Sequence, residues 1–373
     1  MMRLPTIAIA ALLWGCDAQT PDTTAPVSAP AGEAMRGLPQ LDTERSLSSV
    51  AFGSCLDQTR PHPILGDIVG AQPDALVLLG DNVYADVGTI GDLERAYGAL
   101  GDSPGYQRLS AAVPILAAWD DHDYGRNDVG AEFELKDESK RVMLDFFAEP
   151  HDSPRRARAG NYDAVVVGPP GQRVQIILLD TRYFRGPLQA GGVSRRYVPN
   201  DTPGVTVLGD TQWSWLEEQL RQPAEVRFLV SSIQLIVSEH GFESWGLFPA
   251  ERERMFELLA ATKASGVVIV SGDRHRGELS CGYDPAIGYP LVEFTASSLN
   301  RPNHNIEDNR FRLDGVPPVG DENFGIAAID WQQRTVHLAL HGIGGGTQIE
   351  TAVSLDALQP GRGRDGVPKC ADL

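Results

Sequence analysis

The chain has 373 residues, of which 42% are hydrophobic and 22% charged, and its formal net charge is −18 at pH 7. This composition allows one large core or two modest ones and excludes a disordered chain. The acidic balance excludes nucleic acid as an expected partner and disfavours binding to anionic lipid surfaces, because both repel a negatively charged protein.

The N-terminus has the pattern of an export signal, with one positive charge and a short apolar run that ends at Gly15 and Cys16. The run is too short to span a bilayer. Residues 13–16, Leu-Trp-Gly-Cys, resemble the lipobox of bacterial lipoproteins, although Trp14 is bulky for that motif. We predict a signal peptide over residues 1–15, lipidation of Cys16, and export to the bacterial periplasm or cell surface. A plain cleaved signal and an uncleaved anchor are the alternatives.

Residues 16–45 are rich in Pro, Ala, Thr, Gln and Gly, which predicts a flexible tether. We expect it to hold a catalytic domain, residues 46–355, off a membrane that the protein contacts only through its lipid. Residues 356–373 would form a C-terminal tail.

Six short apolar runs, rich in Val, Ile and Leu, each end in polar residues. This pattern is typical of strands buried on both faces of a sheet. The carboxyl ends of such strands form ligand sites in α/β sheets, so we expect the polar ends to converge. The runs with their polar ends cover residues 49–55, 75–81, 114–123, 174–182, 228–234 and 267–275.

Helical patterns lie between these runs and further strands follow them, which indicates an α/β fold. The predicted helices cover residues 138–149, 211–220 and 249–260, and the later strands cover 291–296, 324–331 and 335–341.

The polar ends supply a thiol, a phenol, imidazoles and several carboxylates. Carboxylates this close together would be costly without cations. Thiolate, phenolate and imidazole suit a transition metal, whereas carboxylates suit calcium, magnesium or manganese. Taken singly, each residue is more often a turn or a packed core residue, but their ordered recurrence predicts a mixed two-metal site that Asp81 bridges. The donors are Cys55, Asp81, Tyr84, Asp120, Asp121, His122, Asp123, Asp273 and His275.

Four arginines flank the same loops and could bind phosphate. They are Arg126, Arg182, Arg274 and Arg276, with Arg182 and Arg274 preferred as substrate ligands, and the alternative for each is an ordinary surface or ion-paired role. His240 and His304 could line the pocket.

Cysteines occur at positions 16, 55, 281 and 370. If Cys16 is lipidated, an odd number remains in an oxidising compartment. Cys281 and Cys370 are candidates for a disulfide that ties the tail to the domain, and the alternative is three reduced, buried thiols.

These motifs resemble the PhoD-type alkaline phosphatase and phosphodiesterase family, within the metallophosphoesterase superfamily that includes purple acid phosphatases. The resemblance implies a four-layer α/β sandwich of two mixed sheets flanked by helices, the calcineurin-like metallophosphoesterase fold. It rests on Phe52-Gly-Ser-Cys55, Leu79-Gly-Asp-Asn-Val-Tyr84, Trp119-Asp-Asp-His-Asp123, Leu179-Asp-Thr-Arg182, Phe248-Pro-Ala-Glu-Arg252, Ser271-Gly-Asp-Arg-His275 and Asn323-Phe-Gly325.

The resemblance also implies roles for individual residues. Asp81 would bridge two metals, with Cys55, Tyr84 and His275 on Fe³⁺ and with Asp121 and Asp273 on Ca²⁺; Zn²⁺, Mn²⁺ and Mg²⁺ are alternatives. His122 would contact the phosphate and protonate the leaving group. The superfamily's usual Gly-Asn-His reads Asp-Asp-His here, which leaves Asp120 as the alternative to Asp121.

The predicted function is therefore hydrolysis of phosphoric mono- or diesters by a monomeric enzyme, with a metal-bound hydroxide as nucleophile and a small phosphoester as substrate. The alternative is a surface lipoprotein that binds divalent cations or phosphate without turnover.

Overall fold

The computed structural model of the protein describes residues 40–193, 195–364 and 370–373. The predicted signal peptide, Cys16 and most of the predicted tether lie outside the described residues. Among the helices within those ranges, none is long and apolar enough to cross a membrane.

Strands and helices alternate through much of the described chain. The strands are β1 (Ser49–Gly53), β2 (Ala75–Leu79), β3 (Ile115–Ala118), β4 (Asp163–Val167), β5 (Val174–Leu178), β6 (Gln189–Ala190), β7 (Tyr197–Val198), β8 (Val226–Ser231), β9 (Val267–Ser271), β10 (Gly277–Tyr283), β11 (Pro290–Ala296), β12 (Phe324–Asp330), β13 (Thr335–His341), β14 (Thr347–Ser354) and β15 (Ala371–Asp372). The helices are α1 (Ile64–Ala71), α2 (Ile90–Asp102), α3 (Pro104–Ala112), α4 (Asp121–Tyr124), α5 (Lys136–Phe146), α6 (Pro154–Ala157), α7 (Gly209–Leu220) and α8 (Pro249–Thr262), and Trp245–Leu247 forms a 3-10 turn.

Two mixed sheets carry the fold. In the described chain the first sheet has the strand order β14-β13-β12-β1-β2-β3 and the second has the order β15-β10-β11-β9-β8-β5-β4. In the first sheet β1, β2 and β3 run parallel, with Phe52 beside Val77 and Leu78 beside Ala117. In the second sheet β9 runs parallel to β8 and β11. The carboxyl ends of these central strands are the ends that carry the predicted donors.

The alternation of side chains along β1 explains how the layers stack. Phe52 points between the sheets, where its ring centroid lies 5.1 Å from that of Phe228 and 6.3 Å from that of Phe294. Ala51 instead joins a second core with residues of α1, α2 and α5. Helices α7 and α8 contribute buried residues to the large core that contains the second sheet. The predicted four-layer α/β sandwich of two mixed sheets flanked by helices is confirmed.

The predicted C-terminal tail adds a strand to the second sheet. Its β15 pairs in parallel with β10, where Gly282 lies beside Ala371. Cys281 of β10 and Cys370 form a disulfide with their Cα atoms 4.9 Å apart. Cys55 is a free, buried thiol. The structure therefore pairs the two cysteines that the sequence favours and leaves Cys55 at the ends of the central strands.

Candidate metal centre

The turn that follows β2 brings two strand ends unusually close. Gly80 has φ 108° and a Cβ atom there would lie 2.5 Å from the Cβ of Asp120. Only glycine tolerates both this backbone conformation and this approach. As a result Asp81, the next residue, leaves β2 directly beside the end of β3.

Four of the predicted ligands have left-handed backbone conformations. Their φ angles are 59° for Cys55, 51° for Asp81, 64° for Asp273 and 55° for His275. This region is unfavourable for residues other than glycine and persists where the surroundings enforce it, commonly at functional sites. The turns after β1, β2 and β9 therefore adopt strained backbone conformations that orient these side chains.

Cys55, Asp81, Tyr84 and His275 form the first end of the centre. The Tyr84 hydroxyl donates to Asp81 Oδ2 at 2.7 Å and lies 3.0 Å from His275 Nε2. The Cys55 sulfur lies 3.7 Å from Asp81 Oδ2. Ligand atoms of Cys55, Asp81 and His275 all lie within 4.8 Å of one another, which is close enough for one ion.

The second end is made of carboxylates. Ligand atoms of Asp120, Asp121 and Asp273 lie within 4.8 Å of one another, and Asp81, Asp121 and His122 form an overlapping group. Asp81 thus belongs to the first group and to the group that contains Asp121 and His122, and its bridging role stays a prediction.

The electrostatics of the centre favour bound cations. Burial raises the pKa of Asp81 well above its usual value, and repulsion by Asp121 and Asp120 raises it further. Burial and then Asp120 raise the pKa of Asp273, while burial and then Asp81 raise the pKa of the Cys55 thiol. Cations would relieve this repulsion, and the donor set of thiol, phenol, imidazole and carboxylates fits metal ions.

The pKa values of the neighbouring carboxylates Asp120 and Asp121 are shifted in opposite directions. Burial raises the pKa of Asp121, but Arg182, His122 and the Asp128 amide, which donates to its Oδ2 at 2.6 Å, hold that pKa down at about 2. Burial raises the pKa of Asp120 to about 7. The Asp120 Oδ2 atom is buried and has no hydrogen-bond partner among the described residues. Both carboxylates therefore remain able to bind a cation.

His122 is held by a carboxylate that the sequence did not reveal. Its Nδ1 lies 2.8 Å from Oδ1 of Asp86, and its ring centroid lies 4.4 Å from that of Tyr84. The backbone amide of His122 donates to Asp121 Oδ1 at 3.0 Å. Asp86 has a φ of 44°, but no motif in the sequence marks it as part of the site.

Arg182 lies among carboxylates of the centre. Its side chain is fully buried, its Nε donates to Asp120 at 2.7 Å, and its Nη1 donates to Glu243 at 2.5 Å. The guanidinium thus balances carboxylates behind the centre. Its role as a phosphate ligand stays a prediction.

Arg274 remains at the centre itself. Its Nη1 lies 3.9 Å from Asp273 Oδ2 and its Nη2 donates to Glu307 at 3.3 Å. Its guanidinium carbon lies 4.5 Å from the ring centroid of Phe242.

The remaining sequence candidates have other partners. Arg276 pairs with Glu307 at 2.5 Å, Arg126 lies 5.6 Å from the ring centroid of Phe133, and the His304 side chain is 70% exposed.

Asn82, the residue after Asp81, links two of the turns. Its side-chain amide donates to the carbonyl of Ala118 at 2.8 Å and to Asp123 Oδ2 at 2.5 Å. The Asp123 Oδ1 in turn accepts from the Asp120 amide at 2.7 Å. Asn82 and Asp123 therefore fix the turn after β2 against the turn after β3.

One curated protein is similar to this chain in sequence. Alkaline phosphatase D of Bacillus subtilis (strain 168) is 23% identical over 213 residues, which cover 51% of this chain and 36% of that protein. The match therefore spans little more than a third of the relative's length.

Two solved structures share the fold. The structure of PhoD superposes with a TM-score of 0.69 and 16% identity over 90% of this chain and 76% of its own. A dimetal phosphatase from Danio rerio superposes with a TM-score of 0.51 and 10% identity over 83% of this chain and 99% of its own.

The family model of the PhoD-like phosphatases matches residues 51–316, which is well over half of the chain. The matched region runs from β1 to the residues that follow β11, and it includes every predicted ligand of the centre. The chain belongs to the PhoD-like phosphatase family.

Proposed function

We propose that the protein is a metal-dependent hydrolase of phosphoric mono- or diesters. The observation that carries the proposal is the set of overlapping ligand groups that share Asp81 and Asp121, with the His122 and Asp86 pair beside them. Paired metal sites of this kind suit phosphoryl transfer because two cations can hold the attacking and leaving oxygens.

The proposal includes two different cations. Cys55, Tyr84 and His275 with Asp81 would hold Fe³⁺, and Asp121 and Asp273 with Asp81 would hold Ca²⁺, with Zn²⁺, Mn²⁺ and Mg²⁺ as the alternatives. The hardness of the donors supports this division. When bound, the cations supply Lewis acidity and generate a hydroxide nucleophile at neutral pH.

His122 and Arg274 would act on the substrate directly. In the ring that carries both protons, Nδ1–H donates to Asp86 and Nε2–H can give its proton to the departing alcohol oxygen. Arg274 would stabilise charge on the phosphoryl oxygens. Arg182 would keep Asp120 in place from behind the centre.

Turnover of synthetic esters tests the proposal. Metal-loaded protein should hydrolyse p-nitrophenyl phosphate or bis(p-nitrophenyl) phosphate. His122→Asn should lower kcat by about 10²- to 10⁴-fold for an alkyl leaving group, which needs a proton, and less for p-nitrophenolate, which needs none. Tight retention of phosphate without any turnover would instead favour the non-catalytic lipoprotein.

We also propose export and anchoring through lipid at Cys16, with a soluble monomeric domain that binds no nucleic acid. The pattern at residues 13–16 and the net charge of −18 support this part of the proposal. Acyl labelling of the wild-type protein that is lost in Cys16→Ser would agree with it, and a mature protein that begins elsewhere would contradict it.

A further inference from the structure

Phe242 is a partly exposed aromatic residue beside the metal centre. Its side chain is 36% exposed, and the guanidinium carbon of Arg274 lies 4.5 Å from its ring centroid. Single exposed apolar residues are common and need no explanation. This ring differs because it packs against the residue that follows Asp273, a predicted metal ligand.

The segment that carries Phe242 is held in place on both sides. The carbonyl of Glu239 accepts from Arg195 Nη2 at 2.6 Å, and the carbonyl of Gly241 accepts from the Tyr197 amide at 3.0 Å. Glu243 pairs with Arg182 and Arg185. The hydrogen-bonded turn therefore holds the exposed ring in place. A ligand that stacks on the ring would lose little binding free energy to ordering of this segment.

His240 adds a hydrogen-bond donor to the same turn. Its Nδ1 accepts from the Phe242 amide at 3.1 Å, so in the neutral ring the proton lies on Nε2. Burial, and then the charges of Arg274 and Arg276, lower the pKa of His240 to about 2, which keeps the ring neutral. Nε2 is buried and has no hydrogen-bond partner in the part of the chain that the structure describes. An unpaired buried donor is costly, and an acceptor on a ligand would remove that cost.

We infer that Phe242 and His240 form a subsite for the non-leaving substituent of a phosphodiester, and that this substituent is an aromatic ring with a hydrogen-bond acceptor, as in an aryl or nucleoside ester. The inference rests on the proposed function. The reason is the placement of the groups in the fold. His122 and Asp86 lie on loops of the first sheet, whereas Arg274, Phe242 and His240 lie on loops of the second.

The direction of displacement separates the two substituents of a diester. In phosphoryl transfer the attacking and leaving oxygens lie roughly in line, so the other substituent projects to the side. With the leaving oxygen at His122, the inference places that substituent on the side that the second sheet supplies. A monoester has no such group, so the subsite favours diesters.

Two esters with the same leaving group and charge test the inference. Bis(p-nitrophenyl) phosphate carries an aromatic non-leaving group, and methyl p-nitrophenyl phosphate carries a methyl group in its place. In the metal-loaded protein, Phe242→Ala should raise KM about tenfold for the first ester and less than twofold for the second, with kcat little changed. Phe242→Tyr should behave like the wild type. Ile343→Ala, which changes an exposed side chain in the turn between β13 and β14, is the control and should change neither ester.

The Nε2–H donor of His240 is tested with thymidine 5′-(p-nitrophenyl phosphate), whose base and sugar offer hydrogen-bond acceptors. His240→Leu should raise its KM several-fold, and His240→Gln, which keeps an N–H group, should restore it in part. Equal effects of Phe242→Ala on the two p-nitrophenyl diesters would overturn the inference and leave the proposed function intact. A wild-type protein that hydrolyses no phosphoester would overturn both.

Discussion

The two ends of the candidate metal centre differ in their donors but share the way they are assembled. The first end combines the thiol of Cys55 and the phenol of Tyr84, from loops of the first sheet, with His275 from the second. The second end combines Asp121, from the first sheet, with Asp273 from the second. Each end is therefore completed by the single loop that follows β9.

The comparison separates two properties of the centre, the selectivity for a cation and the connection between the two sheets. The donor types at each end would set which cation fits, whereas the loop at residues 273–275 would make either cation a link between the two sheets. Ser297 reinforces this link, because its hydroxyl lies 3.2 Å from the Cys55 sulfur and accepts from the His275 amide at 2.9 Å.

The largest expected effect comes from the residue common to both ends. Asp81→Asn should lower kcat/KM by more than the roughly 10- to 100-fold that loss of an outer-shell partner costs. It should also lower the content of both metals, measured per chain by mass spectrometry. Asp210→Asn, at a fully exposed position at the start of α7, is the matched control. Loss of only one metal in Asp81→Asn would mean that the two ends do not share this ligand.

Single-end variants should separate the two ends. Cys55→Ser should reduce the content of the transition metal and leave the other cation in place, because only the first end has a sulfur ligand. Asp273→Asn should do the reverse. Both should lower kcat/KM by about 10- to 100-fold or more. Metal content is measured for both variants in parallel. If each variant lost both metals equally, the two ends would not bind their cations independently.

Much of this arrangement follows from the sequence. The runs that lead to Cys55, Asp81 and Asp273 are short and apolar, and strands β1, β2 and β9 begin and end within them. Their polar ends meet because the carboxyl ends of parallel strands share one edge of a sheet. The strand β10 was missed because Glu278 and Ser280 interrupt its apolar pattern; the structure buries both against Asn309, so their polarity does not indicate exposure.

The supporting residues could not be read from the sequence. Asp86 and Glu243 follow no apolar run, and their partners His122 and Arg182 lie 36 and 61 residues away along the chain. Arg301, whose guanidinium carbon lies 4.0 Å from the Tyr84 ring centroid, comes from a segment without a recognisable motif. Such contacts depend on tertiary packing and leave no local periodicity.

The carboxylate end should make the metal-free protein sensitive to pH. The folded pKa of Asp120 is about 7, against an ordinary value of about 3.9, and the pKa values of Asp81 and Asp273 are raised as well. Below about pH 4 these groups are protonated in both the folded and the unfolded state and do not lower the free energy of unfolding. As the pH rises toward 7 and beyond, they ionise in the unfolded chain first, so the free energy of unfolding falls. Asp121, with a folded pKa of about 2 against an ordinary value of about 3.9, is ionised in both states above about pH 5 and adds no slope there.

Thermal unfolding of chelator-treated protein should therefore show a lower Tm at pH 8 than at pH 5, with a loss of about a few kcal/mol at roughly 1.4 kcal/mol for each pH unit between the two pKa values. The metal-loaded protein should lose much less, because cations keep the carboxylates ionised at little cost. A metal-free protein that is as stable at pH 8 as at pH 5 would contradict the raised pKa values.

The smallest effect on the centre is expected from the disulfide, although it lies in the sheet that completes both ends. β10 begins at Gly277, two residues after His275, but Cys281 lies further along that strand and holds the tail through Cys370. Replacing both cysteines by serine should lower the free energy of unfolding by about 2–5 kcal/mol, mainly because the unfolded chain gains freedom.

Metal content and kcat/KM at 25 °C should stay near wild type, since the strained turn at residues 273–275 is fixed by Ser297 and by the Asn303 amide, which donates to the His275 carbonyl at 2.9 Å. A loss of either metal in this double variant would show that the tail, and not the turn alone, sets the position of the second sheet's ligands.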